Sequence, residues 1–237
     1  MNILAFDASG TTCSACVAAD RKILASRYLN VGLTHSQTLL PMIHGVLRDA
    51  ALDLCQIDRI ALPVGPGSFT GIKIAVATAK GLAHPHQIPC CPLSSLQVLA
   101  WPFLGIQERV FAVEDARRGM FYNAVFDCKG KVPRPLTEER QISVENLFLD
   151  VGKNEHIVLC GDGTYLAEKY CQEHQISFRR QPLLPFLPAE AIVAAALYAS
   201  TDNDVSSEAL RPAYLRLPQA ERERLEKENQ KERNKAK

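Results

Sequence analysis

The chain has 237 residues, 47% of them hydrophobic, enough to build a sizeable core in one large domain or two small ones. Its 27 basic and 26 acidic residues leave a net charge of +1, which removes any global electrostatic case for nucleic acid or an acidic membrane. No apolar run approaches the ~20 residues of a membrane span, and Asp7 interrupts the N-terminus where a signal peptide would be apolar, so a cytoplasmic location is expected.

In chain order, residues 2–8 (NILAFDA), 13–19 and 23–31 read as three strands joined by hairpins. A helix follows. Thr34 with Gln37 three residues on fits a capping box, and Leu39, Ile43, Val46, Leu47 and Ala50 keep helical spacing. Pro41 falls inside this pattern and predicts a kink or a later start. Residues 58–64 form a buried strand, the turn GPGSFTG feeds an alanine-rich helix, 88–93 is a short strand and 94–103 a capped helix. The second half repeats the pattern: strands at 109–115 and 119–127, a weaker one within 131–142, then helix 143–150, strand 156–162, and helices 163–174 and 188–200. The order β-β-β-α-β-α thus occurs twice. It predicts an α/β protein with an N-terminal lobe at 1–105, a C-terminal lobe at 106–218 and a charged tail at 219–237, solvated or disordered. Without the tail the chain carries 20 basic and 21 acidic residues.

Eight cysteines in a reducing compartment are read as buried thiols. Cys13 and Cys16 lie three apart on a strand and should face opposite ways, as should the adjacent Cys90 and Cys91. The six histidines form no H-E-x-x-H, and no G-x-S-x-G occurs.

The segment VGPGSFTGIKIAVATAKGLA looks like a phosphate loop but fails both nucleotide patterns. Five residues separate Gly65 from Gly71, Ile72 stands where a P-loop lysine belongs, and Thr70 stands where a dinucleotide motif needs its third glycine. Packing is the first reading: Gly65 and Gly67 for a tight turn, Ser68 or Thr70 as cap, and Ala75, Ala79 and Ala83 as a small-residue face that another helix can approach. An anion at the helix N-terminus is the second. The hairpin FDASGTT offers another site. Asp7 at a strand end, with Thr11 and Thr12, can hold a metal-bound phosphate; equally, Asp7 can cap its own turn. The residues leave that choice open.

The blocks ILAFDASG, THSQTLLPMI, GPGSFTGIKIAVATAKGLA, DARRGMFY and RPAYLR, in this order from residue 2 to 216, resemble the TsaB (YeaZ) family of bacterial tRNA threonylcarbamoyladenosine biosynthesis, related to the Gcp-like M22 peptidase homologues. The resemblance implies the actin/hexokinase-like (ASKHA) fold with two duplicated βββαβα lobes. It implies a non-catalytic scaffold for the paralogue TsaD, which modifies adenosine 37 of tRNA, together with the ATPase TsaE, and a homodimer in isolation. It also implies that the paralogue's His-x-x-x-His metal site is replaced here by PLSSLQVLAW, so no catalytic or metal-binding residue is expected. The isolated chain then needs no cofactor, while ATP or ADP can sit at the heterodimer interface. Contacts to nucleotide or phosphate would come from Asp7, Thr11, Thr12, Gly65, Gly67 and Ser68. The partner interface would come from the first two helices, through His35, Leu39, Met42, Ile43, Val46, Ile72, Ala75, Val76 and Ala79, with only part of that stripe exposed. A phosphotransferase of the same fold and a metallopeptidase are the alternatives. The first needs a second acidic phosphate hairpin, for which EDARRG supplies acids but no Gly/Thr turn.

Overall fold

The structure is a computed structural model describing residues 1–180 and 186–215. The predicted tail at 219–237 and Arg216 lie outside the described residues. Strands β1 (Asn2–Asp7), β2 (Cys13–Ala19) and β3 (Lys22–Leu29) form an antiparallel meander, as the period-two pattern requires. Helix α1 (His35–Asp49), strand β4 (Arg59–Gly65), helix α2 (Phe69–Ala83) and strand β5 (Cys90–Ser94) follow. β4 and β5 add in parallel, giving the sheet order β3-β2-β1-β4-β5. Helix α3 (Ser95–Ala100) leads to the second half.

There, β6 (Arg109–Asp115), β7 (Met120–Asp127), β8 (Arg134–Pro135) and β9 (Arg140–Ser143) precede α4 (Val144–Leu147), β10 (His156–Cys160), α5 (Thr164–Glu173), β11 (Ser177–Arg180) and α6 (Ala189–Tyr198). The second sheet runs β11-β10-β6-β7-β8, with β9 also on β7. Read from β6 outward it repeats the first: β6 answers β1, β7 answers β2, β10 answers β4 and β11 answers β5. The polar strand β11 (SFRR) has one half-buried residue and no apolar alternation to announce it.

Three cores follow from this layering. α1 and α2 cover one face of the first sheet, and α4 and α5 cover one face of the second. Between the sheets, α3 and α6 fill a shared core with Ile3 and Ala5 from one lobe and Val110 and Ala112 from the other. Strands β1 and β4 are buried on both faces, which is why they read as unbroken apolar runs. Cys13 faces the α1/α2 core and Cys16 the shared one, and Cys90 and Cys91 divide in the same way.

Two expectations change. α1 starts at His35, well before Pro41, and continues through it; Thr34 is the N-cap, but its side chain makes no capping bond. Pro41 and Gln37 are both exposed, so the carbonyl that loses its helical donor faces water. The second correction concerns the lobe boundary. α6, apolar nearly all round, packs on β1, β2 and β3. Val205 then exchanges two backbone bonds of 2.9 Å with Cys90, Leu210 enters the α1/α2 core, and Ala213 N donates to Val64 O at 2.7 Å. The chain after β11 therefore returns to the first lobe.

Candidate functional site

The glycine turn between β4 and α2 is filled by the protein's own backbone. A Cβ on Gly65 would lie 2.1 Å from Ala213 O, one on Gly67 2.7 Å from Ser9 O, and one on Gly71 1.9 Å from Ala8 O. Gly65 and Gly67 also adopt φ of +135° and +149°, which other residues rarely reach. Ser68 N donates to Ser9 O at 2.7 Å, and the Ser68 hydroxyl accepts from Gly71 N at 3.3 Å as the α2 cap. Ser95 Oγ donates to Pro66 O at 2.5 Å. The turn thus locks α2 onto the β1–β2 hairpin, and the Cβ side of Gly65 and of Gly67 is taken up by Ala213 and Ser9.

The hairpin is equally occupied. Asp7 is buried, and its Oδ1 accepts Ser9 N at 2.9 Å, the capping role rather than a solvent-facing one. Thr12 is buried and only Thr11 is exposed. Burial pushes the Asp7 carboxyl up to about 6. Glu114, buried at the end of β6, is raised well above the usual carboxylate range by burial and by the negative charges of Asp162, Asp7 and Glu139. Among the described residues, no group of three or more His, Cys, Asp or Glu side chains is arranged to hold a metal ion.

The interface residues need the largest correction. Leu39, Met42, Ile43, Val46, Ile72, Ala75, Val76 and Ala79 are all buried in the lobe's own core, none above 8% exposed. The small face at Ala75, Ala79 and Ala83 lets α2 lie close to its own sheet and α1, where a larger side chain has no room. His35 is half-buried, with Nε2 donating to Gly10 O at 2.9 Å; it ties α1 to the hairpin. What α1 and α2 present outward is a different set. Leu40 is 51% exposed and Leu33, just before α1, 58%. Phe69 and Ala77 on α2 are exposed, and Ile74 and Leu82 are half-buried. Lys73 Nζ sits 3.9 Å over the Phe69 ring, which also packs on Tyr214 at 5.0 Å.

The sequence reasoning took the stronger apolar stripe of each helix as the docking face, but that stripe is the one the sheet buries. Beside it, Leu33, Leu40, Phe69 and Ala77 are exposed and Ile74 is half-buried. Glu114 was also missed. Strand parity finds it, since Val110, Ala112 and Glu114 share a face just as Ile3, Ala5 and Asp7 do.

Comparison with known proteins agrees with this architecture. The family model described as TsaD, tRNA N6-adenosine threonylcarbamoyltransferase, matches residues 30–222. The chain is 27% identical to the tRNA threonylcarbamoyladenosine biosynthesis protein TsaB of Bacillus subtilis over 73% of this chain and 76% of that one. It is 36% identical to TsaB of Escherichia coli, over 53% of this chain and 55% of the relative, so that match spans about half of either protein. YeaZ from Pseudomonas aeruginosa superposes with a TM-score of 0.74 at 29% identity, covering 90% of this chain and 99% of that one. EutJ, an ethanolamine utilization protein from Carboxydothermus hydrogenoformans, shares only the fold, with a TM-score of 0.55 at 10% identity over 82% and 89% of the two chains. The duplicated lobes are those of the actin/hexokinase-like fold, and the chain belongs to the TsaD family and, within it, to the TsaB (YeaZ) group.

Proposed function

We propose that this chain acts in tRNA threonylcarbamoyladenosine biosynthesis as a non-catalytic partner that docks the outer face of α1 and α2 on the catalytic paralogue TsaD, with the ATPase TsaE joining the assembly. The observation that carries this reading is the fate of the segment 92–101. Where the resemblance places the paralogue's paired histidines, this chain has α3, whose Leu96, Val98, Leu99 and Ala100 are buried in the shared core and whose buried Ser95 is bonded to Pro66 O. Of the α3 residues only Gln97 is half-buried, and its amide does not replace a pair of metal-binding imidazoles. The outward residues Leu33, Leu40, Phe69 and Ala77 supply the apolar anchors a partner helix pair needs. ATP or ADP, if it enters, belongs to the interface between partners rather than to the filled glycine turn.

Reconstitution tests this. A mixture of TsaD, TsaE, threonylcarbamoyl-adenylate and tRNA should modify adenosine 37 only when this chain is added, and this chain alone should not. Equal turnover without it removes the partner role. Met42→Asp and Ala75→Arg are unsuitable controls, since both side chains lie inside the lobe. Leu40→Asp with Ala77→Arg changes only the outer row and should abolish co-purification with TsaD while leaving the fold intact.

A further inference from the structure

Beside the edge strand β3, the turn that follows α3 and the start of α6 help to enclose a pocket of about 460 Å³. Segments far apart in the chain build its walls. Tyr28 on β3 stands opposite Ser14 on β2, and Ser14 shares its face of the sheet with Cys16 of the shared core. This is the face that α1 and α2 do not cover. The Ser14 hydroxyl donates to Leu187 O at 3.1 Å, which brings Pro188 and the first turn of α6 up to the sheet. Trp101 and Pro102, in the short turn Trp101–Phe103, complete the enclosure. Trp101 is 7% exposed and its Nε1 has no hydrogen-bond partner, so contacts alone fix the indole, among them the Tyr198 ring at 5.3 Å.

The lining carries one charged group. Glu190, half-buried in the first turn of α6, sets a carboxylate among two aromatic rings, two prolines and the small side chains of Ala191 and Ala194. No lysine, arginine or histidine lines the pocket, and among the described residues no ion pair or side-chain hydrogen bond holds this carboxylate. The N-terminus of α6 favours a negative charge at this position, but it does not account for the aromatic walls. A neutral apolar guest would strip water from the carboxylate and give nothing back. An ammonium that carries alkyl groups meets both demands: its charge pairs with the carboxylate, and its alkyl groups lie against ring faces that attract a cation. The volume is that of a small-molecule site.

We propose that this pocket binds a small alkyl-substituted ammonium cation, with Glu190 pairing with its charge and Tyr28 and Trp101 packing on its alkyl groups. The binding is non-covalent. It uses the opposite face of the first sheet from α1 and α2, so this reading and the docking of the outer helix face stand or fall separately.

Choline is the probe, and dimethylbutanol, the same shape with carbon in place of the charged nitrogen, is its neutral match. The chain's single tryptophan, Trp101, lines the pocket and reports by its emission; saturation-transfer NMR on the choline methyl groups reads binding without it. At constant ionic strength choline should saturate with a Kd of about 1 mM, and dimethylbutanol should bind about tenfold more weakly. Glu190→Gln should erase that preference while leaving the affinity for the alcohol unchanged. A carboxylate that served only the α6 dipole would lower Tm in this variant and leave the preference intact. Tyr28→Ala should weaken choline about fivefold, and Tyr28→Phe should bind as wild type does, because the ring and not the hydroxyl is used. Ala194→Leu fills the pocket and should block both ligands. No saturation by either readout up to ~50 mM choline, equal affinity for the two ligands in wild type, or a choline preference that survives Glu190→Gln overturns the proposal.

Discussion

The two lobes share a strand plan but spend their helices differently. In the first, α1 and α2 run 15 residues each; their counterparts α4 and α5 run 4 and 10. The first lobe's core is closed by aliphatic and small side chains from those long helices. The second fills the space above its sheet with aromatic bulk instead. Phe111 packs on Phe148 at 5.7 Å, Phe148 on Tyr170 at 5.8 Å, and Tyr170 on His174 at 3.9 Å. A short helix cannot cover a sheet, so large rings must, because interiors tolerate little void. Long helices have a second consequence: each has an outer row the sheet does not use. The outer rows of the first lobe leave Leu40 and Phe69 exposed, as the second lobe leaves Leu149 and Tyr165, and the difference between inner and outer rows is where the first lobe is most easily broken.

Adjacent leucines on α1 make the sharpest contrast. Leu39 is 1% exposed and Leu40 51%. Leu39→Asp puts an unpaired charge into the α1/α2 core and should cost more than about 4 kcal/mol, unfolding the lobe. Leu40→Asp should change stability by no more than about 0.5 kcal/mol while lowering affinity for a partner at least tenfold. Thermal melts with size-exclusion and light scattering separate the two. A folded Leu39→Asp, or a Leu40→Asp that melts like it, would reverse the assignment of rows.

Ion pairs separate the lobes next. Arg59 at the start of β4 is 3% exposed; it bonds Asp204 Oδ1 at 2.5 Å through Nη2 and Ala196 O at 2.5 Å through Nη1, pinning the returning chain to the first sheet. In the second lobe, Arg109 pairs with Glu155, with both side chains near 30% exposed. Arg59→Ala leaves Asp204 buried and unpaired and should cost about 3–5 kcal/mol. Arg109→Ala should cost about 1 kcal/mol or less, and that cost should shrink in 1 M salt. Denaturant midpoints in low and high salt check both, and equal costs would show that the return of α6 matters less than its packing suggests.

How far the sequence reveals this molecule depends on what a residue pattern can encode. Strand 13–19, strand 109–115 and the doubled order of elements are legible because strand alternation and helical spacing are local. The parity of Cys13 and Cys16 correctly assigns them to opposite cores. What cannot be read is which of two neighbouring apolar rows a sheet covers. Met42 and Leu40 are both good interface residues until the position of β2 and β3 beneath the helix is known. The glycine turn is similar. Its failure to fit a nucleotide motif is visible in the spacing, but the atoms that fill it, Ser9 O and Ala213 O, come from residues far apart in the chain. Strand β11 was invisible because two arginines occupy half of it.

A contrast between two glycines tests that turn. Gly71 lies in the first turn of α2, where alanine would ordinarily favour the helix by about 1 kcal/mol. Its Cβ would meet the backbone oxygen of Ala8 at 1.9 Å, and backbone on a buried hairpin cannot swing aside as a side chain can. Gly71→Ala should therefore destabilise by about 2–3 kcal/mol, opposite in sign to its propensity. The comparison is Gly163 at the N-cap of α5, where the nearest obstacle to a Cβ is the Phe121 ring at 2.8 Å. That ring can turn by a few tenths of an ångström, so Gly163→Ala should cost about 1 kcal/mol. Urea melts give both values, and amide exchange locates the damage. In Gly71→Ala, protection should fall together in the first turn of α2 and at Ser68, whose amide is bonded to Ser9 O. A neutral or stabilised Gly71→Ala would mean that the hairpin yields, and that α2 is less firmly seated than the long helices of the first lobe require.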